Sequence, residues 1–172
     1  MNVRQKILGA LLVGATTLGL NVIAPGAAQA QSAFHPITNT TTNMCLQPQT
    51  PEQFVTIVQH TCDGSLLQKW VFIKVGNNHY RILNQLSGFC FDAFDGAFGG
   101  ARILQNECAP ISNDEFNTGG PVPGVVKLES RVGFRDRGFC IGVGAAPLEG
   151  LAAQLTACSS TQLGQRWSVG VG

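Results

Sequence analysis

The sequence has little charge. Of its 172 residues 12% are charged, and 11 basic residues against 10 acidic ones give a formal net charge of +1. A protein that binds nucleic acid or docks on an anionic membrane surface needs a clustered basic face. The near-neutral balance therefore argues against both kinds of partner.

The sequence also lacks the residue patterns of common catalytic and metal sites. Its histidines, His35, His60 and His79, are not spaced as a metal set or a triad, and no Gly-x-Ser-x-Gly nucleophile motif is present. The cysteines are not in closely spaced pairs with histidines, which excludes a structural zinc site. Asp92 and Asp95 lack the rest of a calcium-loop series. We therefore predict no catalysis, no metal and no cofactor.

The first 30 residues have the pattern of a secretory signal peptide. Arg4 and Lys6 precede an uncharged apolar run, and small residues lead up to a predicted cleavage after Ala30. The alternative is a membrane anchor, although the run is short for a span. Cleavage would leave residues 31–172 with a net charge of −1, a length suited to one secreted, extracellular domain.

Three copies of a short motif divide the remaining chain into repeats. The motif reads Gly-Phe-Cys-Phe-Asp around Cys90 and Gly-Phe-Cys-Ile-Gly around Cys140, and a weaker copy surrounds Cys45. A second cysteine follows each at nearly constant distance, and such even spacing indicates an internal repeat. Six cysteines in an exported chain indicate three disulfides, although sequence alone leaves the pairing open. The repeat favours one bridge per unit: Cys45–Cys62, Cys90–Cys108 and Cys140–Cys158.

Short β-rich segments separated by turn residues fill the repeats. No segment after residue 30 has a sustained helical period, and the segments are typical of an all-β sandwich or barrel. Three similar units around one core favour a closed, threefold arrangement over a sandwich. The predicted strands are 54–59, 71–75, 79–83, 101–106, 125–131 and 154–157.

A tripeptide after the second cysteine of each repeat gives the chain a family resemblance. Gln68-Lys69-Trp70 and Gln165-Arg166-Trp167 share the pattern Gln-x-Trp, and Asp114-Glu115-Phe116 is a degenerate copy. With Cys90-Phe91-Asp92 upstream, the chain resembles the ricin B-type lectin family, a β-trefoil, over residues 34–172. The resemblance implies that Trp70, Phe116 and Trp167 pack in the shared core, where aromatics bury much area. It also implies that Gln68 and Gln165 bond to buried backbone.

The resemblance implies a shallow sugar site in each repeat. Its parts are an Asp two residues after the first cysteine, an aromatic two residues before the second, and an Asn just before the Gln-x-Trp. Repeat two keeps Asp92 and Asn113 and has Gln105 nearby, but Asn106 occupies the aromatic position. We therefore expect the best site in repeat two, with Asp92 either binding hydroxyl groups or serving only as a turn residue.

The other positions are weaker. Phe94 and Phe98, on a glycine-rich loop after Asp92, either stack on a ligand or plug the interior. Repeat one offers only His60, with Gln59 beside it. Repeat three has Gly142, Thr156 and Gly164 at the three positions, and so keeps none of the site.

The expected function is a secreted, non-catalytic module that binds galactose-type or related hexose glycans. A shallow site binds weakly, so a protein partner or an oligomer would be needed for avidity. The alternative is a trefoil that has lost sugar binding and serves as a protein-interaction or toxin-accessory subunit. Erosion of repeats one and three favours this alternative, and retention of Asp92 with Asn113 favours the lectin.

Overall fold

The computed structural model describes residues 34–110 and 112–170, and the predicted signal peptide lies outside these residues. Within the described part the chain forms short strands and short 3-10 helices, and none of its helices is long and apolar enough to cross a membrane. The strands are β1 (Ile37–Asn39), β2 (Cys45–Pro48), β3 (Ile57–His60), β4 (Trp70–Gly76), β5 (His79–Asn84), β6 (Cys90–Asp92), β7 (Leu104–Asn106), β8 (Phe116–Asn117), β9 (Gly124–Val126), β10 (Glu129–Ser130), β11 (Phe139–Gly142), β12 (Gln154–Ala157) and β13 (Trp167–Val169). The 3-10 helices are Leu66–Gln68, Ser112–Asp114, Val132–Phe134 and Leu163–Gln165.

Six strand positions form a closed barrel. Strand β4 pairs with β5, β5 with β8, β8 with β10, β9 with β13, and β13 with β1, all antiparallel. Strands β9 and β10 act as one interrupted barrel strand. A bridge between His35 and Trp70 joins the start of the barrel to β4 and closes it. Closure leaves the barrel without an unpaired edge.

Three hairpins, β2–β3, β6–β7 and β11–β12, cover one end of the barrel. Their backbones form a ring of hydrogen bonds around the axis. The N–H of Ile57 donates to Ile103 O (2.9 Å), that of Ile103 to Ala153 O (3.1 Å), and that of Ala153 to Ile57 O (2.8 Å). A six-stranded barrel capped by three equivalent hairpins is a β-trefoil, so the predicted all-β, threefold fold is confirmed.

Each repeat contains one disulfide, and the predicted pairing is confirmed. The bridges are Cys45–Cys62, Cys90–Cys108 and Cys140–Cys158, and no cysteine in the described part of the chain is free. Each bridge joins the start of the second strand of a repeat to the turn that follows the third strand. It thereby fixes the hairpin to the segment that leads back into the barrel.

The aromatic residues of the three tripeptides lie in the core. Trp70, Phe116 and Trp167 are fully buried. The indole N–H of Trp70 donates to Leu46 O (2.9 Å), and that of Trp167 donates to Ile141 O (3.0 Å). The phenyl ring in repeat two has no donor to offer, so only repeats one and three make this bond.

The glutamines of the tripeptides bind the backbone around the second cysteine. Gln68 Oε1 accepts the N–H of Asp63 (2.9 Å), and its Nε2 donates to Thr61 O (2.8 Å). Gln165 Oε1 accepts the N–H of Ser159 (2.9 Å) in the same way. Each buried amide therefore uses both its donor and its acceptor to hold a turn.

Two predicted strands are shorter than the sequence indicated. The strand expected over 54–59 is β3, which begins at Ile57, and Phe54 precedes it with a left-handed φ of 61°. The strand expected over 101–106 is β7, which begins at Leu104. Of the missing residues, Thr56 and Arg102 make only isolated bridges to other hairpins.

Candidate functional site

The β6–β7 hairpin holds Asp92 just beneath the surface of repeat two. Cys90 lies opposite Asn106 and Asp92 opposite Leu104 in the hairpin register. Only 2% of Asp92 is exposed, and its Oδ2 accepts a hydrogen bond from Asn106 Nδ2 (2.9 Å). Burial raises the pKa of the Asp92 carboxyl, and the bond from Asn106 partly opposes the rise.

Asn106, at the position where the family has an aromatic residue, forms the outer part of a polar chain. Its Oδ1 accepts hydrogen bonds from Gln53 Nε2 (2.6 Å) and from the N–H of Glu107 (2.8 Å). The amide is therefore held from both ends and is partly exposed. The chain Gln53–Asn106–Asp92 runs from a loop of repeat one into the interior of repeat two.

A pair of exposed phenylalanines, Phe54 and Phe94, lies next to this polar chain. Phe94 and Phe98 are each 50% exposed, so neither plugs the interior. Phe54, which the sequence analysis did not select, is 53% exposed and meets Phe94 edge to face, with ring centroids 5.6 Å apart. The N–H of Phe54 donates to Gln105 O (2.8 Å), which places it beside β7. Phe54 belongs to repeat one, so a search repeat by repeat could not assign it to this site.

Gln105 does not contribute to the surface, contrary to its prediction as a sugar contact. It is fully buried, its Nε2 donates to Thr50 O (3.0 Å), and its Oε1 accepts from Ser87 Oγ (2.8 Å). These bonds hold the loop that carries Gln53 and Phe54. Gln105 therefore shapes the site from below and has no atoms left for a ligand.

Asn113 adjoins this arrangement, whereas His60 lies away from it. Asn113 is partly buried and adjoins the site through its backbone, since Asn113 O accepts the N–H of Ala93 (3.0 Å). His60 lies on β3 of repeat one, where its Nε2 is 3.2 Å from Glu149 Oε2 of repeat three. It therefore contacts an exposed carboxylate of repeat three, away from Asp92 and Asn106.

The three family positions of repeat three line an open depression of about 340 Å³. Gly142 and Gly164 leave this space, and Thr156 and Gln162 supply hydroxyl and amide groups at its wall. Gly164 is also required for packing, because a Cβ there would lie 2.2 Å from Val143 O. None of the lining side chains is aromatic or charged, so the depression has no ring to stack on a sugar and no carboxylate to bind its hydroxyl groups.

Asp114, the first residue of the degenerate tripeptide, is fully buried. Its Oδ2 accepts the N–H of Ala109 (2.8 Å), as the glutamine oxygen does in the other two repeats. Its Oδ1 is buried without a hydrogen-bond partner, and so is Asp92 Oδ1. Burial raises the pKa of Asp114 to about 7, against the lowering effect of the Ala109 N–H, and the Asp92 charge adds to the rise.

Glu115, the next residue, points to the other face and joins repeats two and three. It is almost fully buried and accepts hydrogen bonds from Arg81 Nη2 (3.2 Å) and Arg131 Nη1 (2.5 Å). The two carboxylates therefore differ in surroundings, because Glu115 has cationic partners at short distance and Asp114 has none. Among the described residues, no group of three or more His, Cys, Asp or Glu side chains could hold a metal ion.

Taken together, barrel, cap and disulfides define a threefold β-trefoil whose outer surface in repeat two combines aromatic and amide groups. Residues 27–106 match a family model described as "Ricin-type beta-trefoil lectin domain-like". The predicted resemblance to ricin B-type lectins is thus confirmed. A comparison with curated protein sequences gave no match.

Solved structures share the fold at low sequence identity. The Macrolepiota procera ricin B-like lectin in complex with lactose has a TM-score of 0.65 and 15% identity, over 80% of this chain and 94% of that one. Cytolethal distending toxin from Actinobacillus actinomycetemcomitans has a TM-score of 0.64 and 18% identity, over 80% of this chain and 90% of the toxin chain. An exo-beta-1,3-galactanase from Clostridium thermocellum has a TM-score of 0.70 and 21% identity over 81% of this chain. The chain spans only 30% of that enzyme's length.

Proposed function

We propose that the chain is a non-catalytic carbohydrate-binding module whose site is the outer surface of repeat two. The observation that carries the proposal is the exposed Phe54–Phe94 pair beside the ordered amide of Asn106. Asp92 is placed behind this surface and orients Asn106.

The chemistry of this surface suits a sugar ring. One face of a hexose carries C–H groups, which an aromatic ring can cover, and its edge carries hydroxyl groups. The amide nitrogen of Asn106 keeps one N–H beyond its bond to Asp92, and Gln53 adds a second amide. The charge-assisted bond to Asp92 fixes which way the Asn106 amide points. Phe54 or Phe94 would then replace the aromatic that repeat two lacks at position 106.

The proposed ligand class is a galactose-type or related hexose glycan. The family resemblance supports this class, and the Macrolepiota lectin was solved with lactose. A shallow site buries little surface, so one site would bind weakly and useful avidity requires several copies. Because repeats one and three lack the family residues, those copies would come from an oligomer or a partner. Three disulfides and the predicted signal peptide support an extracellular location.

The proposal is tested on a glycan array with the oxidised chain presented multivalently. Single variants Phe54→Ala and Phe94→Ala are expected to lose the signal while keeping the melting temperature. Phe134→Ala is the matched control, because this equally exposed phenylalanine (58%) lies in repeat three. Signal that persists in both site variants would move the site elsewhere. Absence of any signal from the folded chain would refute carbohydrate binding.

A second candidate is a protein-interaction or toxin-accessory module without sugar binding. The observation that favours it is the depression in repeat three, where Gly142 and Gly164 have replaced the family residues. The similarity to a cytolethal distending toxin also supports this reading. The same array decides between the two, since this candidate requires a folded chain that binds no glycan.

A further inference from the structure

Each hairpin of the cap carries a loop: residues 49–54, 93–100 and 143–150. The last residue of each loop bonds to a neighbouring repeat, at the position three residues before that repeat's second cysteine. The N–H groups donate in the same way from Phe54 to Gln105 O (2.8 Å), from Gly100 to Leu155 O (2.7 Å) and from Gly150 to Gln59 O (3.0 Å). Gln59, Gln105 and Leu155 therefore occupy equivalent positions in the three repeats.

A buried amide side chain holds two of these loops in place. Gln105 Nε2 donates to Thr50 O (3.0 Å) and to Glu52 O in the loop of repeat one. Gln59 Nε2 donates to Ala146 O (2.8 Å) and Leu148 O (3.0 Å) in the loop of repeat three. In both loops the acceptors are the carbonyls four and two residues before the last loop residue. We call this arrangement the amide clamp.

A hydroxyl group completes each amide clamp. The amide oxygen of Gln59 accepts a hydrogen bond from the hydroxyl of Thr42 (3.2 Å), and that of Gln105 accepts one from the hydroxyl of Ser87 (2.8 Å). Thr42 and Ser87 each lie three residues before the first cysteine of their repeat. The two clamps thus use the same pair of positions in different repeats.

Repeat three has other residues at both positions. Leu155 occupies the amide position, and Arg137 occupies the hydroxyl position. Leu155 is fully buried and has no side-chain donor, and Arg137 Nε donates to Val132 O (2.7 Å). Loop 93–100, which bonds to Leu155, therefore lacks the amide clamp that holds the other two loops.

The loop without a clamp is the one that carries the exposed Phe94 and Phe98. Its side-chain contacts are weak replacements for two buried hydrogen bonds. The ion pair of Asp95 with Arg102 spans 3.8 Å between exposed side chains, and such a pair contributes little to stability. Ala97 packs against the core through a single methyl group. The middle of this loop is therefore held less firmly than the middle of the other two.

We propose that Leu155 leaves loop 93–100 free to adjust around a bound glycan, which makes Leu155 a positioning residue for the proposed site. The ends of the loop stay fixed, because the N–H of Ala93 donates to Asn113 O (3.0 Å) and that of Gly100 to Leu155 O. The middle of the loop can therefore move without loss of the hairpin, and the ring of Phe98 moves with it toward a sugar. This inference rests on the proposed function.

Nitrogen-15 relaxation of the backbone amides of the oxidised chain measures the motion of the three loops on the picosecond to nanosecond timescale. Order parameters are about 0.85 for rigid backbone and below about 0.6 for a flexible segment. We expect values below about 0.6 in the middle of loop 93–100 and values of about 0.85 in the loops of repeats one and three. Equal order in all three loops would overturn the proposal.

Reciprocal variants test whether the amides are the cause. Leu155→Gln combined with Arg137→Ser restores both parts of the clamp and should raise the order of loop 93–100 to that of the other loops. Arg137→Ser alone is the control and should leave that loop mobile. Gln59→Leu removes the clamp of the repeat-three loop and should lower its order, which keeps the test open if a buried amide at position 155 prevents folding. Unchanged loop order in the folded variants would contradict the inference.

The role of the loop in ligand binding is measured separately, with lactose as the probe. Saturating lactose should raise the order parameters of loop 93–100 in the wild type and leave those of the two clamped loops unchanged. Lactose binding without any change in loop 93–100 would refute the adjusting role. A mobile loop in a chain that binds neither lactose nor any glycan on the array would refute only the proposed function.

Discussion

Replacing Asp114 by Gln should make the chain more stable at pH 8 than the wild type, and the gain should vanish at low pH. An unfolded Asp releases its proton near pH 3.8, whereas Asp114 in the folded chain holds it to about pH 7. Between these values the folded state binds more protons than the unfolded state, so its free energy of unfolding falls as pH rises. Below pH 3.8 both states are protonated and the group contributes no pH dependence.

The size of the effect follows from the same interval. A rise of the pKa from 3.8 to about 7 corresponds to roughly 4 kcal/mol between pH 4 and pH 8. Other carboxylates titrate too, so the informative quantity is the difference between Asp114→Gln and the wild type at each pH. Gln fits this position in repeats one and three, where Gln68 and Gln165 bond the same turn. Urea unfolding followed by tryptophan fluorescence at pH 4, 6 and 8, without reductant, measures it. A difference that stays constant with pH would refute the reasoning.

Three further substitutions test the core and the repeat interface. Gly164→Ala should cost at least about 2 kcal/mol in urea unfolding, because its Cβ would lie 2.2 Å from the backbone oxygen of Val143, which cannot move aside. Trp70→Phe should cost about 1–3 kcal/mol in the same assay, because it removes the buried indole bond to Leu46 and leaves a void. Glu115→Gln should lower the melting temperature by an amount that shrinks in high salt, since two arginines lose their carboxylate.

The fold could be predicted from the sequence because its signatures are local. The cysteine spacing and the tripeptides at Gln68, Asp114 and Gln165 repeat at fixed positions, and each repeat builds the same unit of barrel and cap. Trp70 and Trp167 are both fully buried, and an equivalent turn held by a glutamine precedes each of them. Information of this kind lies within one repeat and can be read along the chain.

The site could be predicted only in part, because it depends on contacts between repeats. Phe54 reaches the surface of repeat two from a loop of repeat one, through its backbone bond to Gln105. The same loop takes up the side chain of Gln105, which is why that residue is buried and unavailable to a ligand. In the sequence, Asn106 stands where the family has an aromatic residue, which suggested only that a stacking group was lost. In the fold, the Asn106 side chain links Gln53 to Asp92 by hydrogen bonds. Contacts between side chains of different repeats leave no periodic pattern in the sequence.

The ring of hydrogen bonds among Ile57, Ile103 and Ala153 separates what can vary in this protein from what cannot. Each hairpin donates one of these bonds and accepts another. Loss of any one hairpin would therefore leave one N–H and one carbonyl of the other two hairpins unpaired at the axis. The bonds use main-chain atoms, so they do not depend on which side chain each repeat carries. The surface side chains of one repeat can therefore change without loss of the ring. The surface of repeat two carries aromatic and amide groups, glycines leave an open depression in repeat three, and repeat one presents His60 beside Glu149, while the backbone at the axis remains threefold.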